Sequence, residues 1–259
     1  MQPILWQSGD LIVGSYAALM SLGLLAAVIV TALTARPRIA PAVWLDAALA
    51  AITLGVVSAR LGYAVVNWTY FQDHLAEIIQ IWQGGLNWHA GVIGGSIGAW
   101  LIAHRSVDRP PAAIMDVLAV GASLGVAFGW VGCYLSACAY GRELFPGDVF
   151  FFLNSDAPDI YGSINPRWPS QLLGAAWSLI VFLELWLTRL RPWPNGARYW
   201  LFITAYSAGA GLIGFTRGDD APLLAGWRLD QWLDLAFVLI GLIALFRLPR
   251  AFSSNSSAS

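Results

Sequence analysis

Apolar runs long enough to cross a bilayer recur along almost the whole chain, and they constrain the fold more than any motif does. A spanning helix needs roughly 20 mainly apolar residues. A window of that width finds seven stretches, 11–33, 44–68, 89–103, 113–138, 170–188, 199–213 and 229–246, of which the third and sixth are short and glycine-rich. Only 11% of the 259 residues are charged, against about 25% in a soluble domain. Most of the surface must therefore face lipid, which predicts an all-α, polytopic membrane protein of about seven helices. Pro37, Pro41, Pro110, Pro111, Pro192 and Pro194 fall in the short connections, where helix breakers belong. One transmembrane domain is expected over 1–252, then a polar tail over 253–259 with the composition of a disordered segment. No internal repeat points to an inverted-repeat transporter.

Arginine placement orients the spans. All 14 basic residues are Arg, so chemistry that needs a Lys Schiff base is excluded. The connections after the first, third and fifth segments, with the C-terminus, hold Arg36, Arg38, Arg105, Arg109, Arg189, Arg191, Arg198, Arg247 and Arg250. The other side holds Arg142, Arg167, Arg217 and Arg228, set among Glu143, Asp148, Asp156, Asp159, Asp219, Asp220 and Asp230. The positive-inside rule then places the N-terminus outside and the C-terminus in the cytoplasm, which requires an odd number of spans. Residues 1–10 carry no positive charge, so the first run is expected to be an uncleaved span and not a signal peptide. Cys133 and Cys138 share one apolar stretch; they allow a disulfide but do not make a metal site.

Polar or glycine-rich positions at membrane depth are costly and therefore informative. Four places stand out, all near the outer leaflet. Gly84-Gly85-Leu86-Asn87-Trp88-His89-Ala90-Gly91 surrounds one His with glycines at a helix start. That pattern fits close helix packing beside an interfacial His, and it equally fits a backbone that approaches a ligand with an imidazole as base. Arg60 lies inside the second segment, where it either snorkels or faces a polar cavity. The run from Gly129 through Cys133 and Cys138 to Arg142 continues across an acidic loop to Arg167-Trp168-Pro169-Ser170-Gln171. The loop is long enough to cap a site, and the helix start it leads into accounts for Pro169 and Ser170 but not Arg167. Last come Tyr206 and Phe215-Thr216-Arg217-Gly218-Asp219-Asp220, for which local Arg–Asp pairing is an adequate account unless other groups converge there.

Taken in order, these segments resemble the prolipoprotein diacylglyceryl transferase family across nearly the whole chain. Ser15-Tyr16 with Gly23 resembles its first-helix Tyr-Gly element, and Ala59-Arg60-Leu61-Gly62-Tyr63 its Arg-(Leu/Ile)-Gly-Tyr. Gly84 to Gly94 resembles its glycine-flanked His block, Arg167 to Gln171 its Arg-His-Pro-Ser-Gln, and Phe215 to Asp219 the element ending its sixth helix. The resemblance implies transfer of a diacylglyceryl group from phosphatidylglycerol to the lipobox Cys thiol of a prolipoprotein, with glycerol phosphate leaving. It implies a bacterial inner-membrane enzyme with a central lipid-accessible cavity, whose partners are phosphatidylglycerol, the prolipoprotein signal peptide and membrane lipid. No metal, organic cofactor or nucleic acid is implied. It carries catalytic roles onto His89, Tyr16 and Tyr206, and phospholipid binding onto Arg60, Arg142, Arg167, Gln171 and Arg217. A thiol with a pKa of about 8.5 needs help to ionise, which His89 can give, and a leaving phosphate needs cations, for which Arg is the preferred fork.

The chain departs from the family pattern at defined points. Where the family's signature reads Gly-Arg-x-Gly-Asn-x-x-Asn-Gly-Glu, residues 129–138 place Trp130 at the Arg and change both Asn and the Glu. Cys133, Cys138 and Tyr140-Gly141 instead resemble a divergent branch with a Gly-Cys-Phe-Leu-Ala-Gly-Cys-Cys-Tyr-Gly segment, a branch that usually keeps the Arg. Ala210 and Gly214 stand where the family has Arg and Glu. Two alternatives follow: a non-catalytic or altered-substrate binder of lipid or lipoprotein on the same fold, and a small transporter. The transporter is disfavoured because the polar groups cluster on one side; in the cytoplasmic half only Glu184 is a candidate, with Asp46 and Asp116 at helix starts.

Overall fold

The computed structural model describes residues 3–9, 11–35, 39–106 and 109–249. The tail 253–259, together with Arg36, Arg38 and Arg250, lies outside the described residues. All seven apolar segments fold as helices. They are α1 (Ser15–Ala35), α2 (Pro41–Val66), α4 (Trp88–Ala103), α5 (Pro111–Ser136), α6 (Ser170–Leu187), α7 (Ala197–Gly214) and α8 (Leu229–Arg247), with a single-turn helix, α3 (Trp68–Phe71), following α2. Pro41 and Pro111 open their helices, where the missing N–H costs nothing.

Five of these, α1, α2, α5, α6 and α8, are long and apolar enough to cross a membrane. α4 has 16 residues and is about 24 Å long, short of a hydrocarbon core of about 30 Å. α7 is not among the five: its sequence is broken by Arg198, Tyr199, Ser207 and three glycines. The mainly helical, multi-pass membrane architecture is therefore borne out, with length and composition qualifying five helices instead of seven.

The first helix begins later than its hydropathy implies. Ile4–Ser8 (β1) pairs antiparallel with Leu11–Gly14 (β2), because Gly9, at φ +58°, turns the chain and β-branched Ile12 and Val13 suit an extended backbone. Two other small hairpins, β3 (Ser155–Pro158) with β4 (Ile164–Arg167) and β5 (Leu223–Leu224) with β6 (Trp227–Arg228), lie in the connections. These three hairpins qualify the all-α expectation.

Lipid supplies no hydrophobic drive for helix association, so close backbone approach through small residues has to supply it. α2 packs on α4 through Gly94 and Gly98, where an added Cβ would stand 2.0 Å from Ser58 Oγ and 2.5 Å from Ala50 O. α1 packs on α5 in the same way, with Gly121 against Ala27 O at 2.3 Å. α5 is the hub: half of its apolar window is buried, against 17–33% in the other four. It touches α1, α6 and α7, and α8 joins through α7. Leu22, Leu25, Ile29 and Leu33 of α1, with Leu239, Ile243 and Phe246 of α8, point outward, as a lipid-facing surface requires.

A cavity of about 300 Å³ lies at the Arg-rich end, lined by Thr34, Arg109, Asp116, Arg189 and Arg198 among others. It shares no residue with the sequence-derived site. Asp116 there accepts the N–H groups of Gly196 and Tyr199 at 2.8 and 2.9 Å, which caps α7 and accounts for a buried acid without any transport path.

Gly94→Leu is expected to destabilise the fold by about 1–3 kcal/mol, read as a lowered midpoint of thermal unfolding in detergent micelles. Gly129→Ala, whose Cβ would meet only the flexible Met20 Sδ at 3.3 Å, should leave that midpoint nearly unchanged.

Candidate functional site

The site is assembled from a loop fixed by Arg60. That side chain is 5% exposed. Its Nε donates to Ile78 O at 2.8 Å, Nη1 to Gly84 O at 2.6 Å and to Gly85 O at 3.2 Å, and Nη2 to Glu77 O at 2.5 Å. The rings of Tyr63 and Phe71 lie 5.8 and 5.3 Å from the guanidinium. Gly84 and Gly85 have φ of +85° and +71°, a region that disfavours side chains. A Cβ on Gly85 would stand 2.5 Å from the Tyr63 ring. The glycine pair lets the backbone reach Arg60 and turn into α4. Asn87 then caps α4, accepting from Ala90 N–H at 2.9 Å, and one residue into the helix comes His89.

His89 is 4% exposed, and its Nε2 lies 3.0 Å from Oδ1 of Asp234, itself 4% exposed. Ser207 also hydrogen-bonds to Asp234, and Phe237 packs its edge 5.3 Å from the imidazole. His89 Nδ1 is buried without a hydrogen-bond partner. Beside this pair, the Tyr206 ring lies tilted against Trp88 with centroids 4.9 Å apart, and its hydroxyl oxygen accepts from Trp130 Nε1 at 3.2 Å. Indole can only donate, so the Tyr206 O–H remains available to donate to something else. Asp234, Arg217 and Tyr16 all interact electrostatically with Tyr206. Tyr16 itself lies against Gly132.

The loops at the His89 end are stitched across this cluster. Cys133 and Cys138 form a disulfide, with Cα atoms 4.6 Å apart, at the end of α5. Residues 140–144 then run between two other strands: Arg142 N–H donates to Thr216 O, Gly218 N–H to Tyr140 O, Leu144 N–H to Pro166 O and Trp168 N–H to Arg142 O, all at 2.8–3.0 Å. Gly141 permits that approach, since a Cβ there would stand 2.0 Å from Trp168 O. Gln171 Nε2 donates to Cys138 O at 3.0 Å.

The sequence-derived residues divide into two groups. Tyr206 interacts electrostatically with Arg217, Tyr16 and Asp234, the partner of His89. Arg60, Arg167 and Gln171 are engaged in holding loops: Arg167 bonds Glu143 and Asp159 at 2.9 and 3.0 Å and lies over Tyr140. Arg142 is exposed on the middle strand. Arg217 forms a bidentate pair with Asp219 and lies 3.6 Å from Asp230, while Arg228 meets the same two carboxylates at 3.2 and 3.9 Å. Burial opposes the charge of Arg217, but Asp219 outweighs it and holds the guanidinium above its ordinary value. Burial likewise raises Asp219, yet Arg217 and Arg228 hold its carboxyl below the usual 3.8. Asp234 has no counterpart in the sequence-derived set. Its one sequence signal is an acid inside the last apolar run, a turn beyond Asp230.

The family model for prolipoprotein diacylglyceryl transferase matches residues 3–247. The chain belongs to that family. Proteins named phosphatidylglycerol–prolipoprotein diacylglyceryl transferase from Streptococcus agalactiae serotype Ia and Streptococcus equi subsp. equi are 29% and 28% identical to it, over 95% and 96% of both chains. One from Mycobacterium bovis is 30% identical over 92% of this chain but only 54% of its own length. Three of the positions that depart from the pattern quoted above are accounted for by packing. Trp130 lies flat on Gly174, whose Cβ would overlap the indole at 2.2 Å, and it supplies a hydrogen-bond donor without a charge. Gly214 leaves room for Gln231, which bonds Gly211 O at 3.1 Å. Ala210 packs against the apolar cluster around Tyr206.

Arg60→Ala should expose residues 72–87 to limited proteolysis. Arg60→Lys should give only partial protection, because an ammonium cannot span four carbonyls in one plane. Because the folded Asp219 value is depressed, its pairing adds stability above the unfolded value near 3.8. That stability is lost as pH falls through the lower folded value. Amide exchange across 217–230 should therefore accelerate below about pH 4, and Asp219→Asn should show the acid behaviour at neutral pH.

Proposed function

We propose that this chain transfers a diacylglyceryl group from phosphatidylglycerol to the thiol of the lipobox cysteine in a prolipoprotein signal peptide. The observation that carries this is the buried His89–Asp234 pair beside Tyr206 and Arg217, in a chain matched by the transferase family model over residues 3–247. The imidazole takes the thiol proton. The sulfur lone pair forms a C–S bond at the glyceryl carbon while that carbon's C–O bond to phosphate breaks, and the bonding pair leaves with glycerol phosphate. The proton returns from the imidazole to the departing phosphate or to water. Arg217 and exposed Arg142 hold the phosphate, and the Tyr206 hydroxyl donates to one of its oxygens. Arg60, Arg167 and Gln171 serve by keeping the surrounding loops in place, and Tyr16 walls the lipid side.

One domain over 1–252 in a bacterial plasma membrane, N-terminus outside and C-terminus cytoplasmic, fits this chemistry. Lipid enters sideways between the helices to a cavity that opens on the bilayer. Arg105, Arg109, Arg189, Arg191, Arg198 and Arg247 are at the end away from His89, which supports a site on the side where exported prolipoproteins emerge.

The alternative is a member that binds lipid or lipoprotein without reacting, favoured by the uncharged Trp130, Ala210 and Gly214. Purified protein in phosphatidylglycerol vesicles, given a lipobox peptide, separates the two readings, as does rescue of a strain depleted of its transferase. Thioether product and rescue are expected from the wild type and not from His89→Ala. Arg217→Ala should lower kcat by about 10²–10³-fold. Lipid binding without product, or full rescue by His89→Ala, would establish the binding-only reading.

A further inference from the structure

The hydrogen-bonding of His89 fixes which of its nitrogens can act. Nε2 faces Asp234 Oδ1 at 3.0 Å, both residues are buried, and Nδ1 has no partner. An ionised Asp234 only accepts, so beside it the hydrogen sits on Nε2. With the hydrogen on Nδ1, two lone pairs would oppose each other at 3.0 Å and a buried N–H would go unanswered. A doubly protonated ring would also strand the Nδ1–H. Only the Nε2–H form leaves Nδ1 as a bare acceptor, and a buried acceptor without a partner is an uncommon and costly arrangement.

We infer that Asp234 is a positioning residue that holds His89 in the Nε2–H tautomer and keeps Nδ1 free as the atom that receives the substrate thiol's proton. This rests on the transfer reading above for the identity of the proton donor. The arrangement is a base oriented by a third group. After the thiol proton reaches Nδ1, the imidazolium sits against the Asp234 carboxylate, which stabilises the charge while the C–S bond forms. Passing that proton to the departing phosphate restores the starting tautomer.

Packing explains why the acid comes from α8. Gly211 brings α7 close to α8, its Cβ position lying 3.4 Å from that of Asp234. Gln231, one turn earlier, occupies the space Gly214 leaves and bonds Gly211 O at 3.1 Å and Arg228 N–H at 3.0 Å. These contacts fix the rotation of α8 that turns Asp234 toward His89. Ser207 of α7 holds the carboxylate as well.

The test is ¹⁵N NMR of the full chain in detergent or nanodiscs, labelled at histidine. Exposed His74 and His104 are replaced by Gln, so that His89 alone reports. The wild type should show a protonated Nε2 and an unprotonated Nδ1. In Asp234→Asn the amide can donate to Nε2, so the tautomer should invert. kcat for transfer should then fall by about 10²–10⁴-fold with the KM for phosphatidylglycerol little changed, a split that loss of fold would not produce. Asp234→Glu should keep the Nε2–H form and recover part of the rate. A wild-type ring protonated on Nδ1, or an Asp234→Asn variant with unchanged kcat, overturns the assignment. If the wild type makes no thioether, the transfer reading fails by itself, and the wild-type and Asn spectra still decide whether Asp234 sets the tautomer.

Discussion

Charge and unpaired backbone at membrane depth must be answered by protein, because hydrocarbon offers neither counter-charge nor hydrogen bonds. The half of this molecule that holds His89 is organised around that requirement. Arg60 is answered by four carbonyls, Arg167 by two carboxylates, Arg217 by Asp219 and Asp234 by His89. The answers to Arg60, Arg167 and Asp234 tie separate segments together, so satisfying those charges also closes this end of the bundle. His89 Nδ1 is a polar atom left unanswered beside the Asp234 pair, as Arg167 Nε, Trp168 Nε1 and Arg228 Nε are in the loops around it.

The spans were legible because their length and apolarity are local properties, fixed by bilayer thickness alone. The turn into β1 and β2 was not, since residues 11–14 are as apolar as the helix they precede and only Gly9 marks the reversal. Among the site residues, His89 and Arg217 could be found from their glycine-rich surroundings and from the family resemblance. Asp234 could not: its partner lies 145 residues away, and an acid in the second turn of a helix ordinarily signals nothing beyond the helix end. The structural use of Arg60 was hidden for another reason. Its acceptors are main-chain oxygens, which leave no residue-type signature. The disulfide was open at the sequence level, because two cysteines five apart pair only if the chain leaves the helix between them, as the left-handed Ala137 makes it do.

Trp130, Ala210 and Gly214, three of the departures from the family pattern, have a common physical character. Each site is closely packed: Trp130 lies on Gly174, Gln231 fills the gap at Gly214, and Ala210 sits in the apolar cluster. The acid that meets His89 comes from α8, and Gln231 of the same helix fills the gap at Gly214.

The carbonyl cage around Arg60 has a consequence for how the molecule can vary over time. Every residue type carries the same main-chain oxygen, so the clamp asks the 77–83 segment for a path and not for particular side chains. Those side chains face outward, with Ile79 and Trp82 each 76% exposed, and are free to drift as the surrounding lipids or client proteins change. The constraint falls instead on Gly84, Gly85 and Arg60 itself. The rim of the site can be rewritten while its floor stays in register.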